Sequence, residues 1–196
     1  RKGCSGLEFA SGIPGTVGGA AVMNAGAYGS EMKDVMVSMR VMDREGRILT
    51  LRGEEMGFGY RKSCVDRMGY IVLEAEFELK QDDPGEIKRR MEELSARRRE
   101  KQPLEYPSAG STFKRPQGYF AGKLIQDAGF RGYRVGDAQV SEKHCGFVIN
   151  RGNATAAQVM ELCRQIQRTV LEKDGVELEL EVRRWGQFAE DNRGEA

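Results

Sequence analysis

The first 29 residues constrain the fold more than any other part of the chain, because glycine recurs through them with small residues between. The middle of this segment reads GIPGTVGGA over residues 12–20, and MNAGAYG follows over 23–29. Glycine lets the backbone turn tightly or approach another group closely. The whole chain holds 25 glycines in 196 residues, against a usual share of about 7%. The segment therefore predicts a tight loop that faces either a ligand or another part of the fold.

The physical chemistry of this loop suits an anion. Glycines leave backbone N–H groups accessible, and a helix that starts after the loop adds partial positive charge. The loop is not a P-loop, because the Gly-Lys-Ser/Thr ending is missing, and no strand precedes it as the dinucleotide fingerprint requires. On composition alone, a structural loop that allows tight helix packing is the simpler interpretation.

Charge and composition exclude several function classes. The 31 basic and 30 acidic residues nearly cancel, which argues against a nucleic-acid binder and against a protein held at a membrane surface by basic residues. No apolar stretch reaches the ~18 residues of a membrane span. The only histidine is His144, and the four cysteines form no Cys-x-x-Cys pair. We therefore expect no metal site, and free thiols in a cytoplasmic protein.

Hydrophobic periodicity predicts an α+β fold. Alternation predicts a β-hairpin over residues 35–51 with its turn at 43–46, and a further strand over 69–79. A helix with a narrow apolar stripe follows and stops before Pro103. Its arginines are balanced by glutamates, which is typical of a solvated helix. The composition changes near residue 82, where we place a domain boundary.

The second half of the chain mixes short elements with one long helix. We predict a short helix over 120–128, short strands over 138–140 and 145–149, a helix from a capping box at Thr155 to Gly175, and a strand over 177–183 with one charged face. The tail after Trp185 is polar, and we predict that it is loose.

The complete string from Gly6 to Gly29 is more specific than its composition. It closely resembles the FAD-binding segment of the UDP-N-acetylenolpyruvoylglucosamine reductase family, flavoenzymes of peptidoglycan precursor synthesis. Further segments that resemble this family follow in the same order: FGYRKS at 58–63, PSAGSTFK at 107–114, AGKLI at 121–125, SEKHCGF at 141–147, and 175–183. The resemblance runs from about residue 3 to residue 186, and several separate motifs in the right order distinguish it from a chance match.

The resemblance implies both a fold and an activity. The fold is the second half of a vanillyl-alcohol-oxidase-type FAD-binding domain in residues 1–82, followed by a small α+β substrate-binding domain in 83–196. The cofactor is FAD, the co-substrate is NADPH, and the substrate is a UDP-sugar whose enolpyruvyl double bond is reduced to give UDP-N-acetylmuramate. We expect a monomer that binds neither nucleic acid nor a membrane.

Three residues match catalytic positions of the family. Arg61 matches its essential arginine, whose planar fork suits a carboxylate. Ser111 matches its proton donor, and Glu181 its catalytic glutamate. Without the resemblance, a surface arginine, a turn serine and the solvated face of a strand are simpler interpretations. Spacing alone does not choose Glu181, because Glu177 and Glu179 share its face of the predicted strand.

The resemblance also assigns binding residues. The FAD-binding set is Gly12, Ile13, Pro14, Gly15, Thr16, Gly18, Gly19, Asn24, Ala25 and Gly26, and the substrate-binding set is Tyr60, Arg61, Lys114 and Arg183. Lys114 is the candidate cation near Ser111, because a serine hydroxyl is a poor acid unless its alkoxide is stabilised. For His144 we expect a structural hydrogen bond and no catalytic role, and the role of Arg115 is open.

Two departures from the family accompany these matches. The family begins with a further subdomain that carries a second glycine-rich FAD loop, and nothing here resembles it, so we expect this chain to hold only part of the FAD site. Some family members have aspartate or asparagine where this chain has Arg115. The short stretch between residues 80 and 107 leaves no room for the extra tyrosine-bearing loop of one family branch, so the chain resembles the branch that lacks this loop. Two alternative functions are another FAD oxidoreductase of the same superfamily, which would lack the Ser111 and Glu181 motifs, and a truncated, inactive relative.

Overall fold

The structure is a computed structural model that describes residues 2–186, and the chain divides into two units, Arg1–Arg98 and Arg99–Ala196. The predicted domain boundary near residue 82 lies at the start of a helix that reaches Lys101. The assignment of functional domains to 1–82 and 83–196 stays a prediction. The prediction of a loose tail concerns residues that lie, except for Gly186, outside the described range.

The first unit is built around a three-stranded antiparallel sheet. Its elements are β1 (Cys4–Ser5), α1 (Val17–Val22), β2 (Gly26–Ala27), β3 (Ser30–Glu31), β4 (Met36–Met42), β5 (Ile48–Arg52), α2 (Cys64–Met68), β6 (Ile71–Phe77), β7 (Lys80–Gln81) and α3 (Pro84–Lys101). The strand order is β5-β4-β6, with β4 paired to both neighbours. The predicted hairpin is confirmed, and the Asp43 carboxylate closes its turn by accepting hydrogen bonds from the backbone N–H groups of Glu45 and Arg47.

The core of the first unit fixes the position of the glycine-rich segment. Met39 and Val41 of β4 are fully buried and pack in one cluster with Ala21 of α1 and Val65 of α2. Burying apolar side chains stabilises by roughly 25 cal/mol per Å² of area removed from water. Because α1 packs against β6, the loop that precedes α1 is held on this side of the sheet.

The second unit packs two helices with a four-stranded antiparallel sheet. Its elements are β8 (Ser108–Ser111), α4 (Ala121–Asp127), β9 (Arg134–Val135), β10 (Ala138–Val140), β11 (Phe147–Asn150) and α5 (Ala156–Asp174), in sheet order β8-β11-β10-β9. Both predicted signals of the long helix are confirmed. Thr155 and Gln158 form the capping box, and Gly175 ends α5 in the left-handed conformation. The apolar stripe of α5 is buried at Leu162, Cys163, Ile166 and Val170.

The predicted strand over 177–183 is wrong as a regular strand. This segment forms a single bridge, between Leu180 and Phe113. Two backbone hydrogen bonds flank the bridge, from Lys114 N–H to the Glu179 carbonyl (2.8 Å) and from Glu181 N–H to the Thr112 carbonyl (2.9 Å). The alternation did identify an inward face, since Leu178 is buried. A longer ladder does not form, because β8 already ends at Ser111.

The four cysteines are free thiols, and three of them are buried. Burial raises the pKa of the Cys163 thiol to about 11, so this side chain is a small apolar group on the stripe of α5. Within residues 2–186, no group of His, Cys, Asp or Glu side chains is placed to hold a metal ion. No helix in the same range has both the length and the apolar character needed to cross a membrane.

Candidate active site

The glycine-rich segment consists of a turn followed by a helix. Gly12 (φ +79°) and Gly15 (φ +140°) adopt backbone conformations that favour glycine. The Thr16 hydroxyl caps α1 by accepting a hydrogen bond from Gly19 N–H (3.1 Å). Pro14, Gly15 and Thr16 are exposed. The predicted turn is therefore present over residues 11–16, and an exposed helix N-terminus follows it directly.

Gly18 and Gly19 lie in α1, and the fold itself does not require glycine there. A Cβ atom added at Gly18 would come no closer than 3.9 Å to another heavy atom, and one at Gly19 no closer than 3.4 Å. At Gly26, in contrast, an added Cβ would meet Glu31 and Ser30 of the β2–β3 pair at 2.7–2.8 Å. Glycine at 26 is thus explained by the fold, whereas the fold leaves room for a Cβ atom at 18 and 19.

The Asn24 side chain connects the glycine-rich segment by hydrogen bonds to the segment that carries Arg61. Its side chain is fully buried. The amide nitrogen donates to a Glu31 carboxylate oxygen (2.8 Å) and to the Gly59 carbonyl (3.1 Å). The amide oxygen accepts from Lys33 N–H (2.9 Å). The side chain of Asn24 therefore has a structural role, which the sequence did not reveal, and its contact with FAD stays a prediction.

Arg61 sits in a left-handed backbone conformation at φ +52°. The turn that holds it is closed by pairing between Gly59 and Lys62, and its guanidinium carbon lies 5.2 Å from the centre of the Tyr60 ring. Within residues 2–186 the non-glycine residues with positive φ are Asn24, Tyr28 and Arg61. All three belong to segments that resemble the family. Such sparsely populated conformations cluster at functional sites, so the backbone supports a functional role for Arg61.

Ser111 is the last residue of β8 and pairs with Phe147 of β11. Its side chain is exposed, and within the described range no partner of its hydroxyl is found. The next residue, Thr112, is buried, and its hydroxyl accepts a hydrogen bond from Val148 N–H (3.0 Å). Ser111 therefore caps no helix. It presents a hydroxyl from a rigid support to solvent or to a ligand.

The structure separates the three candidate glutamates. Glu181 is half-buried and its N–H is hydrogen-bonded to Thr112, next to Ser111. Glu177 is exposed, and the exposed Glu179 carboxylate is paired with the Lys114 ammonium group. Of the three, Glu181 is thus the one that the fold shields, and it lies on the segment beside Ser111.

The remaining predicted residues are more scattered. The Lys114 ammonium group is paired with the Glu179 carboxylate. Arg183, two residues after Glu181, is exposed. The Arg115 guanidinium stacks on the Phe120 ring at 4.0 Å. Arg61 belongs to the first unit, so its convergence with Ser111 and Glu181 on one cleft stays a prediction.

A salt-bridge cluster that the sequence did not reveal fixes the chain at Glu8, just before the turn that begins at Ser11. Arg90 of α3 donates to the carboxylates of Glu8 (2.9 Å) and Asp82 (2.6 Å), and Gly6 N–H donates to Glu8 (2.7 Å). Burial raises the pKa of Glu8, but these hydrogen bonds outweigh it and hold the pKa at about 2. Glu8 and Arg90 are 82 positions apart, which is why no local pattern pairs them.

His144 makes the structural hydrogen bond that was expected. Its Nδ1 atom accepts from Gly146 N–H (3.0 Å), and the ring contacts Phe147 edge-on. The Gly146 carbonyl in turn accepts from Thr112 N–H (2.9 Å). His144 therefore supports the segment that presents Ser111. Burial lowers the pKa of its imidazole below the ordinary 6.5, since a neutral ring is needed to accept this bond.

Titration of the single histidine is expected to show this shift directly. In an untagged protein, the imidazole C–H resonances of His144 should report a pKa below 6.5 in the folded state and a value near 6.5 in urea. Because the folded-state pKa is depressed, the associated stability is fully present above pH ~6.5 and is lost as the pH falls through the folded-state pKa. A folded-state pKa at or above the unfolded value would contradict the assigned hydrogen bond.

Comparison with known proteins yields matches in both units. Residues 102–185 match the family described as UDP-N-acetylenolpyruvoylglucosamine reductase, C-terminal domain, and residues 1–52 match an FAD binding domain. The UDP-N-acetylenolpyruvoylglucosamine reductase of Agathobacter rectalis is 62% identical over 94% of this chain and 59% of that protein. The protein of the same name from Clostridioides difficile is 58% identical over 95% of this chain and 62% of its own length.

A solved structure confirms the fold. The crystal structure of the UDP-N-acetylenolpyruvylglucosamine reductase from Thermus caldophilus superposes with a TM-score of 0.82 at 43% sequence identity. The match covers 94% of this chain and 65% of the Thermus caldophilus chain. This chain thus spans about three fifths of the length of the curated relatives it matches. The matches confirm the expected α+β fold and the resemblance to the UDP-N-acetylenolpyruvoylglucosamine reductase family from which the site was assigned.

Proposed function

We propose that this chain supplies part of the FAD site and the substrate-binding domain of an NADPH-dependent UDP-N-acetylenolpyruvoylglucosamine reductase. The enzyme reduces the enolpyruvyl double bond of UDP-N-acetylglucosamine enolpyruvate to give UDP-N-acetylmuramate, a precursor of peptidoglycan. The observation that supports this proposal is the backbone hydrogen bond from Glu181 N–H to the carbonyl of Thr112, the residue that follows Ser111. Ser111 and Glu181 match catalytic positions of the family.

The residues of the glycine-rich segment fit a dinucleotide cofactor. No atom lies within 4 Å of a Cβ atom added at Gly15, so a flat or anionic group can approach the exposed turn at Gly15 and Thr16, which leads directly into α1. These residues, with the backbone of residues 24–26, would hold FAD. When bound, FAD accepts hydride from NADPH and supplies it to the substrate.

Arg61 and Tyr60 are the binding residues that the first unit contributes. A guanidinium stays charged at every physiological pH, and its planar fork matches a carboxylate. In our proposal Arg61 holds the substrate carboxylate, beside which negative charge develops during the reaction, and Tyr60 orients the guanidinium. Fixed positive charge at such a position lowers the barrier, because it is already in place when the charge forms.

Ser111 is the proton donor in our proposal, and Glu181 holds the substrate carboxylate by a hydrogen bond. The buried neighbours Thr112 and Phe113 fix the backbone from which Ser111 presents its hydroxyl, and general acid catalysis requires a donor in a defined position. Lys114, three residues further on, is the cation closest in sequence that would stabilise the resulting alkoxide. Its bond to Glu179 is exposed and therefore weak, of the order of 1 kcal/mol or less, so the ammonium group can turn to the site.

The same reasoning gives the setting of the reaction. The substrate is a UDP-sugar, and we place the enzyme in the cytoplasm, where NADPH and nucleotide sugars are available. Because all proposed site residues come from one chain, a monomer suffices for activity.

The proposal is tested on a protein of full family length that contains this chain. We expect a purified protein with the absorption spectrum of bound flavin, and NADPH oxidation that depends on added UDP-N-acetylglucosamine enolpyruvate. UDP-N-acetylmuramate, which lacks the double bond, is the matched control and should not support oxidation. NADPH oxidation that needs only oxygen would instead indicate another flavin oxidoreductase, and protein without flavin would indicate an inactive relative.

A further inference from the structure

The guanidinium of Arg98, in the last part of α3, lies against the glycine-rich segment. A Cβ atom placed on Gly12 would be 3.6 Å from Arg98 Nε. The guanidinium carbon is 5.7 Å from the centre of the Tyr28 ring, and the Tyr28 hydroxyl donates to the Leu94 carbonyl one helical turn earlier. Arg98 therefore lies near both Gly12 and Tyr28 of the glycine-rich segment, and α3 holds it there.

Two nitrogen atoms of this guanidinium are buried without a partner. Arg98 Nε and Nη2 are shielded from solvent, and within residues 2–186 neither has a hydrogen-bond acceptor. Other arginines of the same helix are paired: Arg89 contacts Glu86 and Glu93, and Arg90 contacts Glu8 and Asp82. Buried charged donors are expensive to leave unpaired, and folded proteins almost always provide an acceptor.

The identity of the two atoms indicates the chemistry of the missing acceptor. Nε–H and Nη2–H project from the same edge of the guanidinium plane and donate in parallel, which matches two oxygen atoms of a phosphate or carboxylate. No carboxylate of the described residues takes this place. The acceptor is therefore expected to come from outside the described residues, and a bound ligand that carries such a group next to Gly12 fits this place.

We propose that Arg98 binds the diphosphate of FAD through this edge. The inference rests on the proposed function, and it adds a cofactor-binding residue from outside the glycine-rich segment. A UDP-sugar also carries a diphosphate, so the chemistry alone has two sources. FAD is favoured because Arg98 lies next to Gly12, within the residues 1–52 that match an FAD binding domain.

The test compares Arg98→Met with Arg97→Met in the protein of full family length. Both changes remove one positive charge from α3, but Arg97 is exposed. FAD is titrated into apoprotein and its fluorescence followed. We expect Arg98→Met to weaken FAD binding about 10-fold or more, the size of a lost charge-assisted contact, and Arg97→Met to change it less than about 2-fold. Arg98→Lys keeps the charge but not the parallel donors, so it should fall between them.

A second measurement separates ligand binding from a structural role. Because Arg98→Met removes unpaired buried donors, the melting temperature of its apoprotein should equal or exceed that of the wild type, while the rise caused by FAD should shrink. A lower melting temperature of the apoprotein, with unchanged FAD binding, would overturn the proposal. So would weakened binding of UDP with unchanged binding of FAD, which would assign Arg98 to the substrate. Wild-type apoprotein that binds no FAD would instead reject the proposed function itself.

Discussion

Replacing Ser111 with alanine is expected to slow reoxidation of the reduced flavin by the enolpyruvyl substrate about 10²-fold or more, the size expected for losing a positioned acid. Reduction of the flavin by NADPH should stay near its normal rate, because that step requires no proton from Ser111. Stopped-flow absorbance at the flavin band measures the two steps separately. Ser111→Cys should be slowed less, since a thiol can also give up a proton.

The structure predicts how stable the Ser111→Ala variant should be and provides a control variant. Ser111 caps no helix and its hydroxyl has no partner within residues 2–186, so Ser111→Ala should change the free energy of unfolding by no more than about 0.5 kcal/mol. Ser108→Ala, at the other end of β8 and also exposed, is the matched control and should leave both steps unchanged. Equal slowing of both steps by Ser111→Ala, or of neither, would reject Ser111 as the acid and make Glu181 the next residue to test.

Substituting valine for Gly18 or Gly19 is expected to abolish flavin retention in the protein of full family length. The reason is the approach of the cofactor to α1, which a branched side chain would obstruct; Gly19 is the cleaner of the two positions, because a Cβ atom at Gly18 already lies 3.9 Å from Val72 of β6. The measurement is the ratio of flavin absorbance to protein absorbance after purification. Normal flavin content in both variants would contradict the assignment of this segment to FAD.

Alanine at Gly18 provides a control, because we expect it to change the stability of the apoprotein and the affinity for FAD in opposite directions. Since α1 has room for a Cβ atom at Gly18, and alanine is favoured over glycine inside a helix by roughly 0.5–1 kcal/mol, Gly18→Ala should stabilise the apoprotein while it weakens FAD binding. Destabilised apoprotein would show that glycine serves the packing of α1 and not the cofactor.

Local signals made much of the fold predictable. The hairpin of β4 and β5 follows from alternation around a turn whose aspartate satisfies two N–H groups, and α5 follows from its capping box and its terminal glycine. These features are encoded within a few neighbouring residues. The segment 177–183 was predicted wrongly as a strand, because its pairing depends on how far the distant residues 112–114 continue as an extended partner.

The candidate site was less accessible to sequence reasoning. The family resemblance assigned Ser111 and Glu181, but spacing alone left three glutamates equivalent. Their separation comes from the Lys114–Glu179 pair and from the burial of Glu181, both of which require the folded chain. Arg98 lies in a run of three arginines, a pattern that indicates a solvated helix. Only the folded chain shows that Arg98, the middle residue of the run, is partly buried while its two neighbours are exposed.

The buried amide of Asn24 has a consequence for how this site can evolve. From within the glycine-rich segment, this side chain bonds Glu31 of β3, the Lys33 N–H and the Gly59 carbonyl two residues before Arg61. A substitution that shifts the glycine-rich segment is therefore expected to displace the Arg61 turn as well, so the positions of the two segments change together. Compensating changes for a mutation in either segment should accumulate around Asn24, where a single amide sets the position of both.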